Sequence, residues 1–242
     1  MAVVDEEADD SPPPPRPDQS KDALRRRTAR FLFLELIVVA TGVLIALGAE
    51  QSIAWLNRQG EVRSLRSALH EELSDNLASL QHRFGPQACV ASRLTELKAL
   101  RARALAGEAV GVAGEIGRPP SASLRTSVWS ARSSEVMDAM PLDQRIAYSY
   151  LYDELAFNFG LIDQEREAWR SMARFNGIRQ LNEDDARTLN EMVFRAETID
   201  EALRYNRPDI EHRYAELGIG PSERMARFLG SDDGGLCPTL SR

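Results

Sequence analysis

Cys89 and Cys237 are the residues whose chemistry is easiest to state. In an oxidising compartment they can close one disulfide that ties the segment GGLCPTL back to the second helix; otherwise they are two unpaired thiols, with Cys89 a small core residue. Two cysteines this far apart, in a chain with three histidines, do not make a zinc site by spacing. His70-Glu71-Glu72 resembles the start of a metalloprotease helix, but Ser74 stands four residues after His70 where a second histidine is needed. His70 and Glu72 therefore read as the solvated side of an amphipathic helix. Asp184 with Asp185, and Glu191 with Glu197, can be posed as paired carboxylates, yet such acids are ordinary on a helical surface. The glycines at 107, 111, 114 and 117 do not follow G-x-G-x-x-G, and no strand precedes them. No G-x-S-x-G, S-x-x-K or P-loop is present. The expectation is a protein that is not an enzyme and holds no cofactor or metal.

Trp129, Tyr148, Tyr150, Tyr152, Phe157, Phe159 and Trp169 concentrate the aromatic side chains. They read first as the core of a helical hairpin with tyrosine hydroxyls at its rim, and alternatively as a ligand groove between helices.

The segment that must position all of these begins earlier. Phe31–Ala49 is 19 residues, about 28 Å as a helix at roughly 1.5 Å per residue, against a hydrocarbon core of about 30 Å. Twelve of the 19 are Leu, Ile, Val or Phe, together worth about −4 to −7 kcal/mol for insertion. An acid at the midplane costs about 2.5–3.5 kcal/mol, and Glu35 lies nearer the interface, so insertion wins. Glu35, Val39, Gly42, Ala46 and Ala49 share one helical face, and Gly42-x-x-x-Ala46 has the spacing that lets helix backbones approach closely. Glu35 then either points into a helix–helix contact, within a homo-oligomer or against a membrane partner, or reaches the headgroups and pairs with Arg30 and its neighbours.

Lys21, Arg25, Arg26, Arg27 and Arg30 precede the span and Glu50 follows it. By the positive-inside rule the N-terminus stays in the cytoplasm and the chain after about residue 50 is exported. A cleaved signal peptide ending near Ala46-Leu47-Gly48 is the competing reading. Against it stand the 30-residue leader, the length of the apolar run and the acid inside it. Past residue 50 there are 28 acids and 24 bases with no basic stripe, so no nucleic-acid partner is expected.

Glu35-Leu-Ile-Val-Val-Ala-Thr-Gly42 in the span, then Trp55-x-Asn57-Arg58, Leu65-x-x-x-Leu69 and Glu72-Leu73-x-x-Asn76-Leu77, resemble an uncharacterised family of small single-pass bacterial membrane proteins with a domain of unknown function. Leu56 separates Trp55 from Asn57, which are adjacent in the family pattern. The resemblance covers roughly residues 30–80. It implies membrane association with no established activity and supplies no catalytic residues; together with the basic flank, the expected location is the bacterial inner membrane, with the N-terminus cytoplasmic and the C-terminal domain periplasmic.

Residues 1–29 are expected to be a disordered acidic and proline-rich leader ending in basic residues, too short for a signalling output domain. Residues 30–50 form the transmembrane helix, 51–230 a helical extracytoplasmic domain and 231–242 a flexible tail. Apolar steps at Val62, Leu65, Leu69, Leu73, Leu77, Leu80 and Phe84 carry the first helix on to Gly85-Pro86. Helices are further expected at 87–106, 121–139 and 142–176, from an N-cap at Asn182 to a stop before Pro208, and at 221–229. The fold class is all-α, a single N-terminal transmembrane helix continuing into an antiparallel bundle. The expected function is a membrane-anchored interaction or scaffold module of the cell envelope, its partners the lipid bilayer and a second copy or a membrane protein. The alternative is a periplasmic small-molecule sensor.

Overall fold

The computed structural model describes residues 19–230 and 234–240, with side chains from residue 35 onward. The helices are α1 (Gln19–Phe84), α2 (Gln87–Leu105), α3 (Ser127–Ala131), α4 (Ser134–Asp138), α5 (Leu142–Met172), α6 (Glu183–Glu216) and α7 (Glu223–Leu229), with a 3₁₀ turn at Ala173–Phe175. No strand occurs among the described residues, and the fold is all-α. Of the leader expected to be disordered, residues 1–18 lie outside the described ones. Residues 19–29 are instead the first turns of α1, in a stretch without proline and rich in the strong helix formers Ala, Leu and Arg. The chain divides into two units, Met1–Asn57 and Arg58–Arg242.

In the first unit every residue from 35 to 57 is exposed, among them Leu36, Val38, Leu44, Ile45 and Trp55. Its apolar window has a mean hydropathy of 1.9 with none of it buried, long and apolar enough to cross a membrane. A helix suits that solvent because each backbone N–H and C=O beyond the ends is satisfied within the segment.

The second unit is built on α5 and α6, which run antiparallel. The first half of α5 shares a core with the second half of α6: Tyr148, Leu151, Leu155 and Phe159 pack with Ile199, Leu203, Ile210 and Tyr214. The apolar stripe of α1 from Val62 to Phe84 completes this core. Contacts of Arg66 with Gln144, His70 with Tyr148 and Arg83 with Glu165 show α1 running alongside α5 in the same direction. After the turn at Gly85-Pro86, α2 brings Val90, Leu94 and Leu97 to a second core with Trp169, Met172, Leu189 and Val193.

Three sequence expectations are corrected here. The helix expected over 121–139 is replaced by a run without regular secondary structure through residue 126 and two short helices. The buried Asn76 amide explains this: its Nδ2 donates to the Arg125 carbonyl and its Oδ1 accepts the Arg125 N–H, both at 2.8 Å. With its one N–H taken, Arg125 has no donor to give to a helical ladder. The helix expected to stop before Pro208 runs on to Glu216. Pro208 removes one N–H, but Ile210 and Tyr214 beyond it are buried, and the Tyr214 hydroxyl donates to the Leu73 carbonyl at 3.0 Å. The tail expected to be flexible is packed over its described part, 234–240. Leu236 and Leu240 lie in the second core, the Arg118 N–H donates to the Gly234 carbonyl, and Cys237 is bonded to Cys89.

Two glycines show how tightly the 107–126 run is laid down. A Cβ at Gly111 would come within 2.2 Å of the Ile178 carbonyl oxygen, where the backbones of 110–112 and 178–181 exchange two hydrogen bonds. Gly117, at φ +74°, lies against the backbone of Gly235.

Candidate functional site: the Trp129 cleft

Glu72 is where the site begins. The buried carboxylate on α1 accepts from the Ser127 hydroxyl at 2.9 Å and from the N–H groups of Val128 and Trp129 at 2.7 and 3.2 Å, so it satisfies the open N-terminal donors of α3. The Tyr152 hydroxyl on α5 donates to the same carboxylate at 2.7 Å. Burial alone would push the Glu72 carboxyl up; these four donors outweigh it and hold the group below the usual carboxylate range. Burial, then Glu72 itself, push the Tyr152 hydroxyl well up, so it remains a donor. The reading of Glu72 as a solvated residue is thereby corrected. A carboxylate that faces four donors at the edge of the core is stable there.

This anchor fixes Trp129. One face of its ring stacks on Tyr152, with centroids 4.4 Å apart and planes 11° from parallel. The Arg132 guanidinium lies 3.5 Å over the ring, a cation–π contact, and also donates to the Trp129 carbonyl. Beside the sandwich opens a cleft of about 650 Å³, walled by Trp129, Arg132, Met137, Leu142, Arg145 and Ile146. Trp129, Met137, Leu142 and Ile146 give it apolar walls, and its charges are Arg132, Arg145 and Asp138, the last two paired at 2.6 Å. The volume is that of a drug-sized ligand.

A second cleft of about 480 Å³ lies between α1, the start of α5 and the end of α6. There His70 Nε2 and the Tyr148 hydroxyl share a hydrogen bond of 2.7 Å. Burial, and then the nearby Arg66, hold the imidazole below its ordinary range. His70 is thus half-buried and partnered, which corrects its reading as a wholly solvated residue.

Where the two cores meet, Arg83 is buried with Glu165. Its Nε donates to Glu165 Oε2 at 2.6 Å and a terminal nitrogen donates to the other oxygen. Asp200 lies 3.5 Å from the same guanidinium and accepts from Gln87 at 2.7 Å. Burial pushes the Glu165 carboxyl up, Arg83 draws it back and Asp200 adds to the rise. This cluster escaped the sequence reading. Its only sequence signal is that Arg83 and Glu165 stand three residues beyond Leu80 and Ile162, on core faces, with opposite charge.

The other residues named from sequence fall apart in space. Glu35, Gly42 and Ala46 are all exposed in the first unit, and nothing lies within 4 Å of a Cβ built on Gly42. Asp185 serves the capping box with Asn182. Glu197 pairs with Lys98, and Glu191 is exposed. Tyr148, Tyr152, Phe159 and Trp169 are core residues, whereas Tyr150 and Phe157 are exposed. No group of three potential metal ligands occurs among the described residues. The chain matches no protein-family model, no curated protein and no solved structure.

Proposed function

We propose that the chain is a single-pass membrane protein of the bacterial envelope, its N-terminus cytoplasmic and its helical domain periplasmic, acting as an interaction or scaffold module. The observation that carries this is the apolar window of α1, none of which is buried among the described residues. The basic residues ahead of it supply the orientation. The Cys89–Cys237 bond is what an oxidising compartment permits. Alkaline phosphatase fused to the C-terminus should be active, and a fluorescent protein that matures only in the cytoplasm should stay dark there. The reverse pattern overturns the orientation.

Self-association through Glu35, Gly42 and Ala46 is the contact this reading favours, because small residues on an uncovered face let a second helix approach. Replacing all three with Leu should weaken a crosslinked oligomer of the full chain in membranes; an unchanged crosslinking pattern rejects the contact.

The Trp129 cleft supports a second reading, a small-molecule sensor that works through a membrane partner. In a thermal-shift screen of the full chain in detergent, a ligand that stabilises wild type but not Arg132→Ala would favour it. The absence of any such ligand would favour the scaffold.

A further inference from the structure

The second cleft, between α1, the start of α5 and the end of α6, is lined by charges that do not neutralise one another. Arg66 is the only arginine or lysine among its lining residues, and it pairs with no carboxylate among the described residues. One terminal nitrogen of Arg66 donates to the Gln144 side-chain oxygen at 2.6 Å, while its buried Nε–H meets no acceptor. Asp143, the residue before Gln144, lines the same space and has no ion-pair or hydrogen-bond partner among the described residues. Glu216 lines it from α6. It is the last residue of that helix, where the helix dipole disfavours an acid, and its one ion pair among the described residues is with His212, a turn back at 3.4 Å.

The remaining lining is uncharged. Tyr148 and His70 hold each other at 2.7 Å, and burial with the nearby Arg66 keeps the imidazole neutral at pH 7, so it adds no second cation. Ala147 and Leu217 supply an apolar stretch. One arginine against two acids leaves the lining a net charge of −1. Opposite charges that share a cleft without pairing forgo their mutual attraction, and a small molecule carrying both signs restores it. The volume of about 480 Å³ is that of a small-ligand site.

We propose that this cleft binds a free α-amino acid, with its carboxylate on Arg66 and its ammonium group on Asp143, and that basic amino acids are preferred because their side-chain cation meets Glu216. Asp143 and Gln144 are neighbours in the chain, and Gln144 holds Arg66, so the anion-binding and cation-binding groups stand side by side as the two ends of an amino acid do. The Gln144 contact fixes the guanidinium in advance, which lessens the side-chain freedom lost on binding. Its unengaged donors suit the fork of a carboxylate. A basic amino acid also cancels the net charge of the lining, whereas an acidic one sets a further carboxylate against Asp143 and Glu216. The cleft shares no lining residue with the Trp129 cleft, and its ligand is independent of which side of a membrane the domain occupies.

The test uses the full chain in detergent with free L-amino acids as probes. L-Lysine at about tenfold its dissociation constant should raise the thermal midpoint by about 3–6 °C. L-Leucine should act more weakly and L-glutamate least. Nα-acetyl-lysine, which lacks the α-ammonium group, and lysine methyl ester, which lacks the carboxylate, should each lose most of the shift. Arg66→Gln should abolish it, and Asp143→Asn should weaken binding about tenfold. Equilibrium dialysis with ¹⁴C-lysine reads binding without melting, so a variant with a lowered midpoint of its own stays informative. No shift and no retained label with any amino acid overturns the proposal. So does a shift that survives Arg66→Gln or Nα-acetylation, one that acetate or phosphate reproduces, or one largest for L-glutamate. A shift lost in Arg132→Ala but kept in Arg66→Gln belongs to the Trp129 cleft and overturns it equally.

Discussion

The two cores of the second unit are closed by different means. The first, around Leu69, Leu73 and Tyr148, is secured by polar side chains projecting from α1: Glu72 caps α3, Asn76 grips Arg125, and Asp75 pairs with Arg125 and Arg224 at 2.9 and 2.8 Å. The second, around Val90, Trp169 and Leu189, is covered by the far end of the chain, held by a disulfide and by Arg93. α1 offers the first core a helix long enough to carry its own anchors, whereas α2 is 19 residues and must recruit a distant strap. Charge-assisted hydrogen bonds secure one half, and in the other a covalent tether is added to them.

The junction offers the largest way to break that contrast. Arg83→Met leaves Glu165 buried without its cation and Asp200 with Arg204 as its only one, at 3.1 Å, which should cost about 3–5 kcal/mol. Both halves should lose stability together, seen as one lowered thermal transition; loss confined to one half would mean that the network does not couple them. Next in size is Cys89→Ser with Cys237→Ser, expected to cost about 2–4 kcal/mol because the bond closes a separation of 148 residues. Hydrogen exchange should quicken at 90–97 and 234–240 while 69–77 stays protected.

Glu72→Gln should do the opposite, loosening 127–131 and sparing the tail, at about 1.5–3 kcal/mol. It also carries a pH signature. The folded Glu72 carboxyl sits below its unfolded value, so its stabilisation is complete above the ordinary carboxylate range and is lost as pH falls through the lower folded value. The thermal midpoint of wild type should therefore fall more steeply on acidification than that of Glu72→Gln. The smallest effect is expected at Lys98–Glu197, which joins α2 to α6 at the half-exposed surface. Lys98→Ala should shift stability by less than about 1 kcal/mol, and a larger loss would show that α2 depends on side-chain anchors after all.

Helical periodicity made most of this architecture legible. The stripe from Val62 to Phe84, the Gly85-Pro86 break, the Asn182 cap and the long α5 all follow from local pattern. What did not follow was each feature decided by a partner far along the chain. Pro208 signals a stop by local chemistry, but the burial of Ile210 and Tyr214 carries the helix on. Glu72 lies in a run with His70 and Glu71 that reads as hydrophilic, and only the proximity of α3 makes it an anchor. Of the aromatics concentrated between 129 and 169 only Trp129 lines the cleft, and its Arg132 cover was not legible, because a cation over a ring has no spacing rule in sequence.

The Asn76 amide has a consequence for how residues 121–126 are encoded. It meets one peptide unit, donor and acceptor together, as a neighbouring strand would, from 49 positions away. The conformation of that segment is thus a property of the assembled domain and not of its own residues. Excised as a peptide covering 121–139, the same sequence should be free to follow its local helical preference, and the segment would behave as a chameleon whose choice is made by α1.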